Sequence, residues 1–207
     1  MAVIQKAKLL LKPGYPLGHL GLTGTGASAN PIDNLKVGSR YGIVFQYTPT
    51  INVNGSATYN QIATPHNNYQ ANIFEMSMPA QFNIAWQMTA QTTEEADYML
   101  GCMHFMRMMT KAHFGEPDPF AGTPPPVLEF NAYGQYQFNA VPVVVRSYTY
   151  DMNSEVDFVQ TSYDTQVPTF LQGFLDVAVQ VTPDRTRKEF SFRGLADGSL
   201  LGRGGFI

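Results

Sequence analysis

Three carboxylates, Asp151, Glu155 and Asp157, gather near a predicted turn and have the strongest claim to chemistry in the sequence. Two such groups flanking a sugar linkage can divide acid and base work, as in glycoside hydrolysis. Acidic side chains around a turn are more often simply solvated. Gly21-Leu-Thr-Gly-Thr-Gly26 has the glycine density of a phosphate loop. It follows no clear strand, opens no helix and lacks the Gly-Lys-Ser/Thr of a P-loop, so it reads as a flexible arm. His104 and His113 stand nine residues apart, whereas metal ligands on a helix usually pair at a spacing of four. Cys102 and His104 point apart on a helix. A single cysteine also excludes an internal disulfide framework and a multi-cysteine zinc site. No Gly-x-Ser-x-Gly elbow occurs to hold a serine nucleophile. The expectation is a protein that is not an enzyme, with no catalytic residue, no cofactor and no metal.

Composition points the same way. The chain has 207 residues, enough for one domain with a substantial core, and 44% of them are hydrophobic. Charged residues make up 14%, against about 25% in typical soluble domains. A subunit that hides much of its surface in an assembly needs fewer charges than a free monomer. The net charge of -3 argues against binding nucleic acid through its phosphates. No apolar run approaches the roughly 20 residues that span a bilayer, so no membrane insertion is expected. Met1 to Lys12 lacks a long apolar segment and a small-residue cleavage site, and reads as an unprocessed start or packing arm.

Residues 13–40 are rich in Gly and Pro without hydrophobic periodicity and read as a loop. Tyr41 to Tyr47 reads as the first strand, and 48–72, amide-rich and almost uncharged, as a long loop in which Asn54-Gly55 can close a hairpin. Ala80 to Met88 alternates, with Phe82, Ile84, Trp86 and Met88 on one face. Thr92-Thr-Glu-Glu95 matches a capping box at the start of a helix. Ala96, Met99, Leu100, Met103 and Met106 run down one face, and Tyr98, Cys102, Phe105 and Met109 line the next. Gly115 and Pro117 stop it. Apolar on two faces, this Met-rich helix must be covered on two sides, by its own sheet and by something else.

Further strands are expected over Val127 to Phe130, Tyr136 to Phe138, Val141 to Tyr148 and 174–181, where Leu175, Val177, Val179 and Val181 alternate. Pro142 suits the start or edge of its strand. The predicted fold is mainly β with one helix (α+β), an antiparallel β-sandwich or half-barrel flanked by an α-helix at about 92–115. Residues 1–40 form an N-terminal arm and loop, 41–191 the β domain, and 192–207 a Gly-rich tail.

Thr93 to Gly115, with its His104-Phe-Met-Arg107, Thr110-Lys111 and Phe114-Gly115, resembles the helix of tail-tube-like baseplate proteins of contractile-tailed bacteriophages. There, a similar run is followed by a Pro-Pro-Pro-Val-Leu strand entry, here Pro124 to Leu128. The likeness continues through Val143 to Val145, Ser154 to Val159, the alternating strand 174–181 and the Gly-Gly-Phe-Ile end. It covers roughly 78–207. The N-terminal third, including 48–72, has no counterpart.

The resemblance implies a tail-tube-like fold and a homo-oligomeric ring, six copies joined at their sheet edges. Such a ring sits in the virion, made in the host cytoplasm, between the baseplate hub and the tail tube, and seeds tube polymerisation. DNA only passes through its lumen. Carried onto this sequence, the implied packing and inter-subunit positions are Met103, Phe105, Arg107 and Met108, with Arg107 poised to meet a carboxylate of a neighbouring subunit. The alternatives are the major tail tube protein, a carbohydrate-binding β-sandwich using Trp86, Tyr133, Tyr136 and Tyr148 as platforms, and a hydrolase using the 151–157 carboxylates.

Overall fold

A computed structural model describes residues 6–15, 30–63, 65–66, 68–115, 120–134 and 137–180, with 79 and 80 described in backbone only. In chain order the elements are β1 (Lys8–Leu11), a 3-10 turn (Pro31–Leu35), β2 (Lys36–Val37), β3 (Arg40–Val44), β4 (Thr50–Ile62), β5 (Ala71–Thr89), α1 (Thr93–Met109), β6 (Leu128–Ala132), β7 (Phe138–Asp151), β8 (Phe158–Gln160), β9 (Gln166–Pro168) and β10 (Phe170–Val179). Eight strands form one sheet in the order β2-β3-β1-β6-β7-β10-β5-β4, and β8 and β9 form a separate hairpin. Every pairing is antiparallel. The mainly-β fold with one helix is therefore as expected.

The sheet curls strongly. β5 and β6 are three strands apart, about 14 Å in a flat sheet. Yet the rings of Phe82 on β5 and Phe130 on β6 lie 5.5 Å apart, and Phe138 on β7 joins them. Further round, Gln46 just past β3 exchanges two hydrogen bonds with the backbone of Thr89 at the end of β5, at 2.7 and 3.0 Å. β3 and β5 are five strands apart, about 24 Å if flat. Rolling the sheet brings these positions together and closes its concave face over the core.

The helix lies against that face. Thr92 Oγ1 accepts from Glu95 N at 3.3 Å, and Glu95 Oε2 accepts from Gln91 N at 2.8 Å, so the capping box forms with its return bond one residue earlier than the standard pattern. Ala96, Met99, Leu100, Met103 and Met106 are buried, as are Cys102, Phe105 and Met109. What covers the second apolar face is the chain itself. Pro31–Leu35 packs so closely on α1 that a β-carbon at Gly101 would lie 2.5 Å from the Pro31 carbonyl oxygen. The β8–β9 hairpin is tied to α1 by Asp97, whose carboxylate accepts from Ser162 N at 2.8 Å and Ser162 Oγ at 2.6 Å. Asn34 Nδ2 donates to Tyr163 OH at 3.1 Å from the 3-10 turn.

Four expectations are corrected. Lys8–Leu11, read as part of an arm, is an interior strand between β3 and β6 with Leu9, Leu10 and Leu11 all buried. Three consecutive leucines show no alternation, because both faces of this strand are covered. Segment 48–72 is chiefly strand. β4 covers Thr50–Ile62, and Asn54-Gly55 sits at a register shift within it, not at a turn. The helix ends at Met109 and not near 115, where Thr110 Oγ1 donates to Arg107 O at 3.0 Å and takes up a terminal carbonyl. Residues 31–37, read as loop, form the 3-10 turn and β2. The Gly21–Gly26 loop, Tyr136 and the tail 192–207 lie outside the described residues.

Candidate interaction surfaces

Met103 and Phe105 are 3% and 0% exposed within the single chain. Side chains closed off in their own core cannot touch a neighbour, so their role is packing alone. Arg107 and Met108 are the two expected positions that remain at the surface, exposed and half-buried respectively.

Arg107 sits in the last turn of α1, where a cation favours the helix's negative end. Its Nη2 donates to Tyr150 OH at 2.6 Å. Tyr150 stacks on Tyr148, two residues earlier on the same face of β7, with ring centres 5.9 Å apart and planes 17° apart. Among the described residues Arg107 has no carboxylate partner. The bond to Tyr150 is the main cause that raises the guanidinium's pKa above its ordinary value. Burial, and then the charge of Arg107, lower the pKa of His104 one turn away. The result is an exposed permanent cation hydrogen-bonded to one of a stacked pair of tyrosines.

Cys102 and Tyr98 face inward. Tyr98 OH donates to Val44 O at 2.8 Å and accepts from Val44 N at 2.7 Å, stapling α1 to the end of β3. Burial pushes the Cys102 thiol well above its usual range, outweighing the hydrogen bond with Tyr98 that pulls the other way. A thiol so held is a small core side chain and not a nucleophile.

The other candidates disperse. Asp151, Glu155 and Asp157 are all exposed, at and after the end of β7. Trp86, offered as a sugar platform, is 2% exposed and packs in the core. Tyr133 is half exposed, and its hydroxyl donates to Pro49 O at 2.8 Å. Among the described residues no three His, Cys, Asp or Glu side chains group as a metal site. Among the same residues no helix is long and apolar enough to cross a membrane.

The surface that sequence reasoning missed is the β4–β5 ribbon. β10 pairs with β5 only over Gln81 to Thr89, so the first part of β5 pairs with β4 alone. Register pairs Ser56 with Met78, Thr58 with Met76, Tyr59 with Phe74, Asn60 with Ile73 and Ile62 with Ala71. Cross-strand partners share a face and successive residues alternate. Met78, Met76, Ile73 and Ile62 therefore project on one face, and Tyr59 and Phe74 meet edge to face on the other, 5.7 Å apart. All six are 44% to 56% exposed. Between Arg40 and Glu94 the sequence carries one formal charge, Glu75. It occupies the extra β5 residue where the register shifts between Thr58 and Tyr59. The signal was present in the alternation of Met76 and Met78, but the amide-rich partner strand hid it.

No protein-family model matches this chain, and no curated protein matches it. Among solved structures it is similar to a chain of the tail of an empty GTA particle determined with C6 symmetry. The two are 9% identical, with 84% of this chain and 91% of that chain covered and a TM-score of 0.38.

Proposed function

We propose that this chain is a non-enzymatic structural subunit whose copies join edge to edge into a ring in a phage-type tail. The observation that carries the reading is β4. It forms one edge of the eight-stranded sheet, runs from Thr50 to Ile62, and contains no charged residue and no proline. Natural proteins blunt such edges with charges, prolines or short strands, because open backbone donors and acceptors recruit another strand. The opposite edge, β2, is only two residues long. An edge this long, left unguarded in a chain poor in charge, fits a strand meant to be covered by another copy. A contact between unlike patches repeats head to tail and closes into a ring when the rotation allows.

The finer reading rests on the sequence resemblance: a tail-tube-like half-barrel, six copies per ring, placed between baseplate hub and tail tube, seeding the tube and letting DNA pass through the lumen. Negative-stain images of the concentrated pure protein test it. Annular particles with a central hole are expected, and long self-made tubes would shift the reading to the major tail tube protein. Asn52→Lys with Asn54→Lys puts two charges on the β4 edge and should abolish the rings while leaving the fold intact. Rings that form unchanged in that variant would overturn edge pairing.

A further inference from the structure

We infer that the β4–β5 ribbon of one copy docks across the α1–β7 surface of a second copy, with Glu75 of the first meeting Arg107 of the second. This rests on the ring reading and adds a contact between its subunits beside the one at the β4 edge. Three observations carry it.

The ribbon is too apolar to be left in water. Ile62, Ile73, Met76 and Met78 stand together on one face of a two-stranded projection that no other described strand of its own chain covers. A two-stranded ribbon alone is marginally stable and is normally completed by packing against something. Methionines suit that role because their flexible thioethers repack on irregular surfaces.

The ribbon's one charge and the exposed cation on the body are complementary. Glu75 is exposed and is the sole formal charge on the ribbon. Arg107 is an exposed guanidinium whose own chain supplies a phenol and no carboxylate among the described residues. The hydrogen bond to Tyr150 already restrains the guanidinium, so less side-chain freedom is lost when a carboxylate arrives.

The ground around Arg107 also suits an apolar ribbon. Tyr148 and Tyr150 stack beside it, Met108 is half-buried next to it in sequence, and Met152 just beyond β7 is 52% exposed. Aromatic and methionine surface around a central arginine is the composition of a protein interface core. The two patches are different surfaces of one chain, so the contact is heterologous and propagates from copy to copy.

The test is a charge-swap cycle read by native mass spectrometry and analytical ultracentrifugation. Glu75→Arg and Arg107→Glu each place like charges in contact and should weaken self-association at least about tenfold. The double variant restores opposite charges and should recover most of the lost association, with circular dichroism unchanged in all three. Single variants that assemble like the wild type, or a double variant no better than the singles, would overturn the docking. The ring reading would stand if annular particles still form in them. A wild-type chain that never self-associates would overturn both.

Discussion

Gly173 on β10 faces Trp86 on β5 across the register pair that joins the two strands, and the absent side chain makes room for the indole. A β-carbon at 173 would lie 2.7 Å from Trp86 Cζ2 and nearer still to the Thr149 carbonyl oxygen. The largest fully buried side chain thus sits flat against a strand that carries no bulk at that point. Gly173→Ala is expected to cost about 1–3 kcal/mol, since backbone on one side and a packed ring on the other leave nowhere to move. Chemical denaturation followed by Trp86 fluorescence checks it.

Gln46 and Thr89 fix the curl of the sheet by two hydrogen bonds between positions five strands apart. Gln46→Ala removes both and leaves a part-buried backbone donor and acceptor at Thr89. A loss of about 1–2 kcal/mol is expected. Hydrogen exchange should quicken first at Thr89 and in the residues following β3. Protection unchanged there would mean that the sheet keeps its curl without this tie.

Ala140 adopts φ +51°, a left-handed conformation that an alanine rarely occupies. Its N–H donates to Asn131 Oδ1 at 2.8 Å, which holds the bend near the start of β7. Ala140→Gly relieves the side-chain clash and should raise stability by about 1 kcal/mol, visible as a higher melting temperature. A fall in melting temperature would contradict the left-handed conformation at Ala140.

Stability should decline on the alkaline side. Burial raises the pKa of Cys102 above its ordinary 9.0, and burial followed by the neighbouring Cys102 raises that of Tyr98 above its ordinary 10.0. The folded chain therefore keeps protons that the unfolded chain releases. Where the unfolded state binds fewer protons, stability falls as pH rises. The full contribution is present below pH 9 and is lost progressively above it. Cys102→Ala should move the onset of this loss upward, toward the ordinary value for tyrosine. The native thiol should also resist alkylation at pH 8 until the protein is denatured.

What the sequence disclosed follows from where periodicity survives burial. β5 from Phe82 to Met88 and β10 each bury one face, so their alternation is plain in the sequence. Phe82, Ile84, Trp86 and Met88, and Leu175, Val177 and Val179, are buried as expected, whereas Leu171 was not read as part of the strand and Val181 lies outside the described residues. The helix was equally legible through its capping box and apolar spacing, though its end was not. Thr110 closes it through a side-chain bond that glycine and proline counts do not register. β1 was missed because Leu9, Leu10 and Leu11 are buried together. β4 was missed for the opposite reason: most of its residues are exposed, so no apolar pattern marks it and its asparagines suggest a loop. The proposed docking surface is half legible in the sequence. Arg107 stood out as a lone cation in an apolar helix, but its bond to Tyr150 joins residues 43 apart in sequence and only the fold reveals it.

On the proposed function, copies of this chain assemble through their own surfaces. Native mass spectrometry of the wild-type protein across a concentration series measures that most directly. The expected result is a monomer converting to one closed species of six copies, with few open intermediates. A chain that remains monomeric at the highest concentration it tolerates in solution would contradict it.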